Sequence, residues 1–399
     1  MKKIKIHFLY LISSYWTSWR SFYEACEMHP DIEVKIILLD VSNNNSKVVS
    51  DHISQLKNQI KFLESNLLSY TKYEDYSLEK EAPDILVYSS PYDFYYESLF
   101  PKFNTDNIKK QGIKMIYIPY GIEYDKDIFN NNFLKKIQTR QKIHENAWKI
   151  FVMNDDIKNS FKDHPITKGK NVVAIGAPKF DIYRNKENIS LSEDIRKKAQ
   201  NRKIVMYQIH IPNNNNVVLK KRRINCFHTL NFKEHIKVIS QLNKFKDYYF
   251  IITIHPLFKS VAIDRLNLVK EAQYQYFIRK IQENENCLIY NSDNYQSLIA
   301  NADAFITENS SLMIEMAFFD KPVLYLYDVP VSMKNFANDI VSTFYQGSKA
   351  TDVFNYLSYK IKEDVLNYDR KDMQRKIFKN YDGRIGERIL KYIIANIQN

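Results

Sequence analysis

An alternation running from one end of the chain to the other constrains the fold most. Short β-rich runs, each closing in polar, Gly or Pro residues, are separated by helical material. The chain opens with an apolar run over 4–12 and a polar-aromatic loop, "SSYWTSW". "TSWRSFYEACEMH" follows at helical spacing with a Thr or Ser available as N-cap, and "IEVKIILLD" (32–40) is a second strand. Strand, helix, strand in that order is a right-handed crossover unit. A helical stretch over about 45–68 leads to further strands at 83–93, 114–125, 148–155 and 171–181. A charged stretch, "YRNKENISLSEDIRKKAQNR" (183–202), interrupts the pattern. It restarts at 203–212, 248–256, 287–292, 302–311 and 321–328, and the last 30 or so residues read as helix. This order predicts an α/β protein of two doubly wound parallel sheets covered by helices, and 399 residues are too many for one ordinary core. The boundaries fall at 1–185, 186–365 and 366–399. Asn-rich patches at 43–45, 130–132 and 213–216 read as loops.

Composition narrows the functions. Lys+Arg 58 against Asp+Glu 46 gives +12, which suits anionic partners and equally suits a Lys-rich proteome. The lysines are spread, and no RNA-binding motif with interleaved aromatics appears, so nucleic acid is not an expected partner. Three scattered cysteines without a CxxC argue against a disulfide scaffold or zinc site. No spacing of His, Cys and carboxylates reads as a metal site, and no cofactor is implied. No stretch reaches the roughly 18 apolar residues of a membrane span, so any membrane contact is expected to be peripheral.

In doubly wound sheets ligands sit beyond the C-terminal ends of the strands. In the second half those ends carry His210, His255 and the stretch "ITENSSLMIEMAFFDKPVLYLY" (306–327). There Thr307, Asn309, Ser310 and Ser311 crowd between a strand and an apolar-periodic helix. Hydroxyls beside unpaired helix N–H groups can bind phosphate or pyrophosphate. One hydroxyl would serve as an ordinary cap, and three exceed that need. Glu315, one turn deeper on the same face as Ser311, can accept from ribose hydroxyls or simply face solvent. In the first half the ends carry Ser14, Tyr15, Trp16, Ser89 to Asp93, Tyr120, Gly121, Glu123, and the run from Gly176 through Pro178 to Asp181. The basic run "LKKRR" (219–223), with Arg222 and Arg223, can guide an anionic acceptor or lipid, or form a solvated face.

These elements together resemble the CDP-glycerol glycerophosphotransferase family, the teichoic acid primases and polymerases. "ITENSSLMIEMAFFDKPVLYLYD" is similar to the family's Thr/Ser-Asp-Tyr-Ser-Ser, helix, Asp-Lys-Pro signature, with Glu308 and Asn309 in place of Asp and Tyr. "IHP" (254–256), "GAPKFD" (176–181), "DGRIGERI" (382–389) and "SSYWTSWRSFYEA" resemble its other elements in family order. The resemblance implies a GT-B fold, two Rossmann-like domains facing a cleft with a C-terminal helix crossing back to the first. It implies a CDP-activated donor on the second domain, with Thr307, Asn309, Ser310 and Ser311 on the pyrophosphate and His255 assisting. Glu315, Gly176 and Pro178 would meet the nucleotide. Ser14, Tyr15, Trp16, Gly121, Arg222 and Arg223 would meet an anionic or lipid-linked glycan acceptor. Attack at phosphorus would release CMP at the inner face of a bacterial membrane, for capsule or teichoic-acid-like polymer. One departure stands out: the family's His-Gly, source of the general base, is Tyr120-Gly121 here. Tyrosine is a poor base. Glu123, Asp93 or His210 can replace it, or the reaction is that of a glycosyltransferase using a nucleotide sugar. An epimerase on the same fold is a further alternative.

Overall fold

A computed structural model describes residues 3–40, 59–125, 138–184, 189–212, 218–219, 222–223, 229–291, 294–328 and 332–398. The chain divides into two compact units, Met1–Arg184 with Asn380–Asn399, and Asn185–Lys379.

The first unit is built on β1 (Ile4–Tyr10), β2 (Ile32–Leu38), β3 (Tyr70–Lys72), β4 (Ile85–Tyr88), β5 (Lys114–Tyr117), β6 (Lys149–Val152) and β7 (Val172–Ala174). They pair in the order β3-β2-β1-β4-β5-β6-β7, parallel throughout. The order reverses at β1, where Phe8 lies opposite Ile36 on one side and Val87 on the other. Ile6, Phe8 and Leu9 are fully buried, as a strand covered on both faces requires. The first helix begins at Ser13 and runs to Glu27, without a side-chain cap. Ser14, Tyr15 and Trp16, expected in a loop, therefore form its first turn. Tyr15, Trp16, Trp19, Phe22, Tyr23 and Cys26 make one buried stripe at helical spacing, and that stripe sets where the helix starts.

The helix Ile385–Asn396 belongs to this unit and packs against Ser13–Glu27. The approach is close enough that a Cβ on Gly386 would lie 2.3 Å from the backbone of Ser21. Asp181 fastens the joint: its Oδ2 accepts from Ser21 Oγ (2.7 Å) and from the Gly386 N–H (2.9 Å). Gly176, at φ +112°, carries the chain under Ile385, whose side chain a Cβ there would meet at 2.8 Å.

The second unit contains β8 (Lys203–Ile209), a two-residue ribbon of β9 (Val218–Leu219) and β10 (Arg222–Arg223), β11 (Tyr248–Ile254), β12 (Cys287–Ile289), β13 (Ala304–Thr307), β14 (Val323–Leu326) and β15 (Tyr345–Gly347). The main sheet runs β12-β11-β8-β13-β14-β15, again all parallel. Its order reverses at β8, between β11 and β13. Val205, Tyr207, Ile209, Phe250, Ile252 and Ile306 form the centre of its core.

The segment 366–399 divides between the units. The helix Asn367–Ile377 stays with the second unit. Its buried Arg370 pairs with Asp364 and lies 3.9 Å from Asp320, and Asn367 Nδ2 donates to Asp320 Oδ1 (2.9 Å). Of the stretch read as helix over about 45–68, residues 59–65 are helical and 41–58 lie outside the described residues, as do the Asn-rich patches. No described helix is long and apolar enough to cross a membrane.

Candidate functional site

The register of the second sheet brings three strand ends to one edge. Ile254 pairs with Ile209 and Ile306 with Tyr207, so His255, His210 and Thr307–Glu308 emerge side by side. The His255 N–H donates to the Ile209 carbonyl (2.9 Å), extending the β8–β11 ladder by one bond. The two imidazoles meet with centroids 4.5 Å apart and planes at 61°. Burial lowers the pKa of His255 to about 4. Burial, and then the neighbouring His255, hold His210 well below the usual histidine range. Both rings are therefore neutral at neutral pH. His255 Nδ1 accepts from the Leu257 N–H (3.1 Å), which leaves its proton on Nε2.

Glu308 is the organising residue of this edge. It is fully buried. Its Oε2 accepts from the His210 N–H (2.6 Å), and its Oε1 accepts from the Leu230 N–H (2.6 Å) and from His235 Nε2 (3.1 Å). The other nitrogen of His235, Nδ1, faces the Tyr207 hydroxyl at 2.7 Å. A buried carboxylate is tolerable only with such a set of donors. Sequence reasoning missed this role. Glu308 registers there only as a departure from the family's Asp, and His235 lies in an ordinary amphipathic helix, Phe232–Ile239.

The hydroxyls of 307–311 do different jobs. Thr307 is fully buried and donates to Gln208 Oε1 (2.8 Å). Ser310 Oγ accepts from the Leu312 N–H (3.1 Å), from one residue before the N-cap, Ser311. As an acceptor there, the Ser310 hydroxyl still has its own proton to donate. Ser311 is half-buried and Asn309 buried. The helix that follows is a single short piece, Leu312–Met316, so the helix-dipole share of the expected anion site is smaller than the apolar periodicity suggests. Glu315 is not on a solvent face. It is fully buried, and its Oε1 accepts from the Tyr295 hydroxyl (3.3 Å). Arg222 and Arg223 pair through their backbones with Leu219 and Val218, and their side chains lie outside the described residues. A cavity of about 440 Å³, lined by Arg202, Lys203, Lys246 and Lys362, sits at the opposite, N-terminal end of β8 and β11, away from the histidines.

In the first unit the strand ends carry phenols. Tyr15 and Tyr120 lie with ring centroids 5.4 Å apart. Burial first, and then the neighbouring Tyr92, push the Tyr120 hydroxyl well above the usual phenol range, further from a base than the sequence implies. Asp93 accepts from the Lys142 N–H (2.9 Å) and more weakly from the Ile143 N–H (3.4 Å), so it caps the helix Lys142–Asn146. Glu123, Gly121, Pro178 and Lys179 line a cavity of about 20 Å³, room for about one water and too small for a sugar ring. The Lys179 Nζ, buried, donates to the Tyr120 carbonyl (3.3 Å). Trp16 is a core residue against Trp19 and Tyr23. Gly176 serves the contact with Ile385 described above, and Pro178 opens a tight turn of helix, Pro178–Arg184, with its carbonyl accepting from Ser21 Oγ (3.3 Å). Among the described residues no group of three or more His, Cys, Asp and Glu could hold a metal ion.

Two parallel sheets in successive units, with order reversals at β1 and β8, place the protein in the GT-B class of fold. Solved structures share it. One is UDP-GlcNAc 2-epimerase from Neisseria meningitidis bound to UDP-GlcNAc (TM-score 0.63, 13% identity, 98% of this chain and 100% of that one). A variant of the wall teichoic acid polymerase TagF is another (TM-score 0.56, 15% identity, 99% and 89%). The chain itself belongs to the CDP-glycerol:poly(glycerophosphate) glycerophosphotransferase family, whose model matches residues 37–395. A curated relative, the teichoic acid poly(ribitol-phosphate) polymerase of Bacillus spizizenii, is 22% identical over 267 residues. That match covers 63% of this chain, and the chain spans only 38% of the relative.

Proposed function

We propose that the protein transfers a polyol phosphate of the glycerol phosphate type from a CDP-activated donor to an acceptor hydroxyl, releasing CMP. The observation that carries this reading is the family match over 37–395, which includes His210, His255 and the 307–315 stretch at the order reversal of the second sheet. In the reaction an acceptor oxygen attacks the phosphorus bearing the polyol. The bond from that phosphorus to the CMP oxygen breaks, and negative charge grows on the departing phosphate. Fixed donors there lower the barrier. The Nε2–H of neutral His255 and the Ser310 and Ser311 hydroxyls are suited to that task. Thr307, Asn309 and Glu315 act from beneath, as buried residues that shape the edge. On the acceptor side, Glu123 is the carboxylate best suited to be the base, since Asp93 is engaged as a cap and Tyr120 is held protonated. An anionic or lipid-linked glycan is the acceptor class we favour, met at the peripheral face of a membrane.

The test is product analysis. Purified protein given CDP-glycerol and a polyol-phosphate primer should release CMP and extend the primer through a phosphodiester. Ser310→Ala and His255→Ala should each reduce CMP release at least about tenfold with melting unchanged. A second reading, transfer of a sugar from a nucleotide sugar, is favoured by one observation: the family's histidine is Tyr120 here. Release of UDP or GDP, with no CMP from CDP-glycerol, would establish that reading instead.

A further inference from the structure

The two histidines at the edge of the second sheet are not equivalent. His255 is fixed as a neutral donor. Its Nδ1 lone pair is taken by the Leu257 N–H at 3.1 Å, and a proton on that nitrogen would face an N–H donor head-on. In the free protein burial, and then His255, hold His210 neutral, while a hydrogen bond to the Ile211 backbone works the other way, toward the charged ring. With centroids 4.5 Å apart, two imidazolium charges would repel strongly, so the pair accepts at most one extra proton. Both backbones are pinned, His255 through the Ile209 carbonyl and His210 through Glu308 Oε2, which keeps the two Cα positions side by side.

We propose that His210 takes up a proton when an organic diphosphate binds at these strand ends, while His255 stays neutral and donates through Nε2. The inference rests on the CDP-donor reading above and deepens it. The titratable groups around the pair come from three elements. Glu308, after β13, has its oxygens engaged by the His210 N–H, the Leu230 N–H and His235 Nε2. His235, on the helix Phe232–Ile239, is bound between Glu308 and Tyr207. Tyr207, on β8, is held protonated, its pKa raised by burial and then by Glu308. Each is already committed within the network, so the charge that draws a proton onto His210 is the ligand's. Diphosphate affinity accordingly falls as pH rises through the His210 pKa of the complex. The charge thus gained sits where the departing phosphate develops its own.

Calorimetry of CDP binding to the full chain at pH 7, in two buffers of different ionisation enthalpy, counts the protons. The wild type should take up about half a proton or more per CDP. His210→Gln and His210→Asn should bind CDP within about tenfold of wild type, with uptake lower than wild type by about half a proton or more. His255→Asn should lose more affinity and keep the uptake. The nucleotide's own phosphate titration is common to all and cancels in the difference. Uptake unchanged in both His210 variants, or CDP binding to wild type without uptake, overturns the inference alone. Absence of CDP binding by wild type overturns the donor reading and the inference together. Two substitutions and a melting curve for each separate a lost proton from a lost fold.

Discussion

The strand ends of the two units hold their polar side chains in opposite ways. In the second unit a buried carboxylate, Glu308, is met by two backbone N–H groups and an imidazole, and two neutral histidines stand beside it. In the first unit the corresponding edge is filled with phenols, Tyr15, Tyr96 and Tyr120, whose protons are held by burial. Its acid Asp93 is turned to a helix N-terminus. A buried charge needs donors arranged around it, whereas a buried phenol stays neutral and needs none. The second unit thus gathers a bonded carboxylate and neutral imidazoles at its strand ends. The first offers rings and hydroxyls, with the carboxylate of Glu123 among them.

The contrast is sharpest where one acid is removed from each unit. Glu308→Ala leaves three donors buried without an acceptor and should cost about 3–5 kcal/mol, read as a lower urea midpoint for the second unit. Asp93→Ala loses only a cap, about 1 kcal/mol, read on the first unit. Equal losses would mean that Glu308 is less essential than its three bonds suggest. Between these lies Gly386→Ala. With Ser21 backbone 2.3 Å from the new Cβ, the joint of the first unit must open, at about 1–3 kcal/mol or more.

Acid should weaken both units, for different residues. Burial lowers His255 to about 4 in the second unit and His7 and His144 to about 4 and about 3 in the first. Each folded value lies below the unfolded value of about 6.5, so the folded state binds fewer protons in between. The stability from these groups is complete above about pH 6.5 and is lost as pH falls towards those folded values. His255→Asn should flatten the pH dependence of the second unit's midpoint only, and His144→Gln that of the first only. One substitution flattening both would break the independence of the two units.

Most of the sheet architecture was legible because a parallel strand covered on both faces reads as an apolar run. The strands of the two main sheets that were missed, β3 and β15, are three-residue edges, "YTK" and "YQG", too short and polar to show, and the two-residue ribbon β9–β10 was missed as well. The first helix starts earlier than expected because Ser13 to Trp16 read as a polar-aromatic loop, while the stripe from Tyr15 to Cys26 decided the matter through packing. At the site, the strand-end histidines and hydroxyls were visible as residue types at predictable places. Their division of labour was not. Thr307 and Glu315 face inward because of how β13 and its short helix sit on the core, a tertiary fact without a local signal. Glu308 finds His235 and Leu230 from more than seventy residues away.

The smallest expected effect tests the first unit most directly. If its edge is a neutral surface, Tyr120→Phe removes a hydroxyl that never ionises in the working pH range. Burial and the neighbouring Tyr92 hold that hydroxyl well above the usual phenol range, so it cannot take a proton from an acceptor near neutral pH. The ring, which packs against Tyr15, remains. The rate of CMP release from CDP-glycerol should therefore change less than about threefold, within the net effect of one hydrogen bond. Glu123→Gln should cost at least about a hundredfold in kcat, because it removes the carboxylate proposed to act as base. A loss of that size from Tyr120→Phe, with Glu123→Gln near wild type, would reverse the assignment. It would make the phenol of Tyr120 the working group.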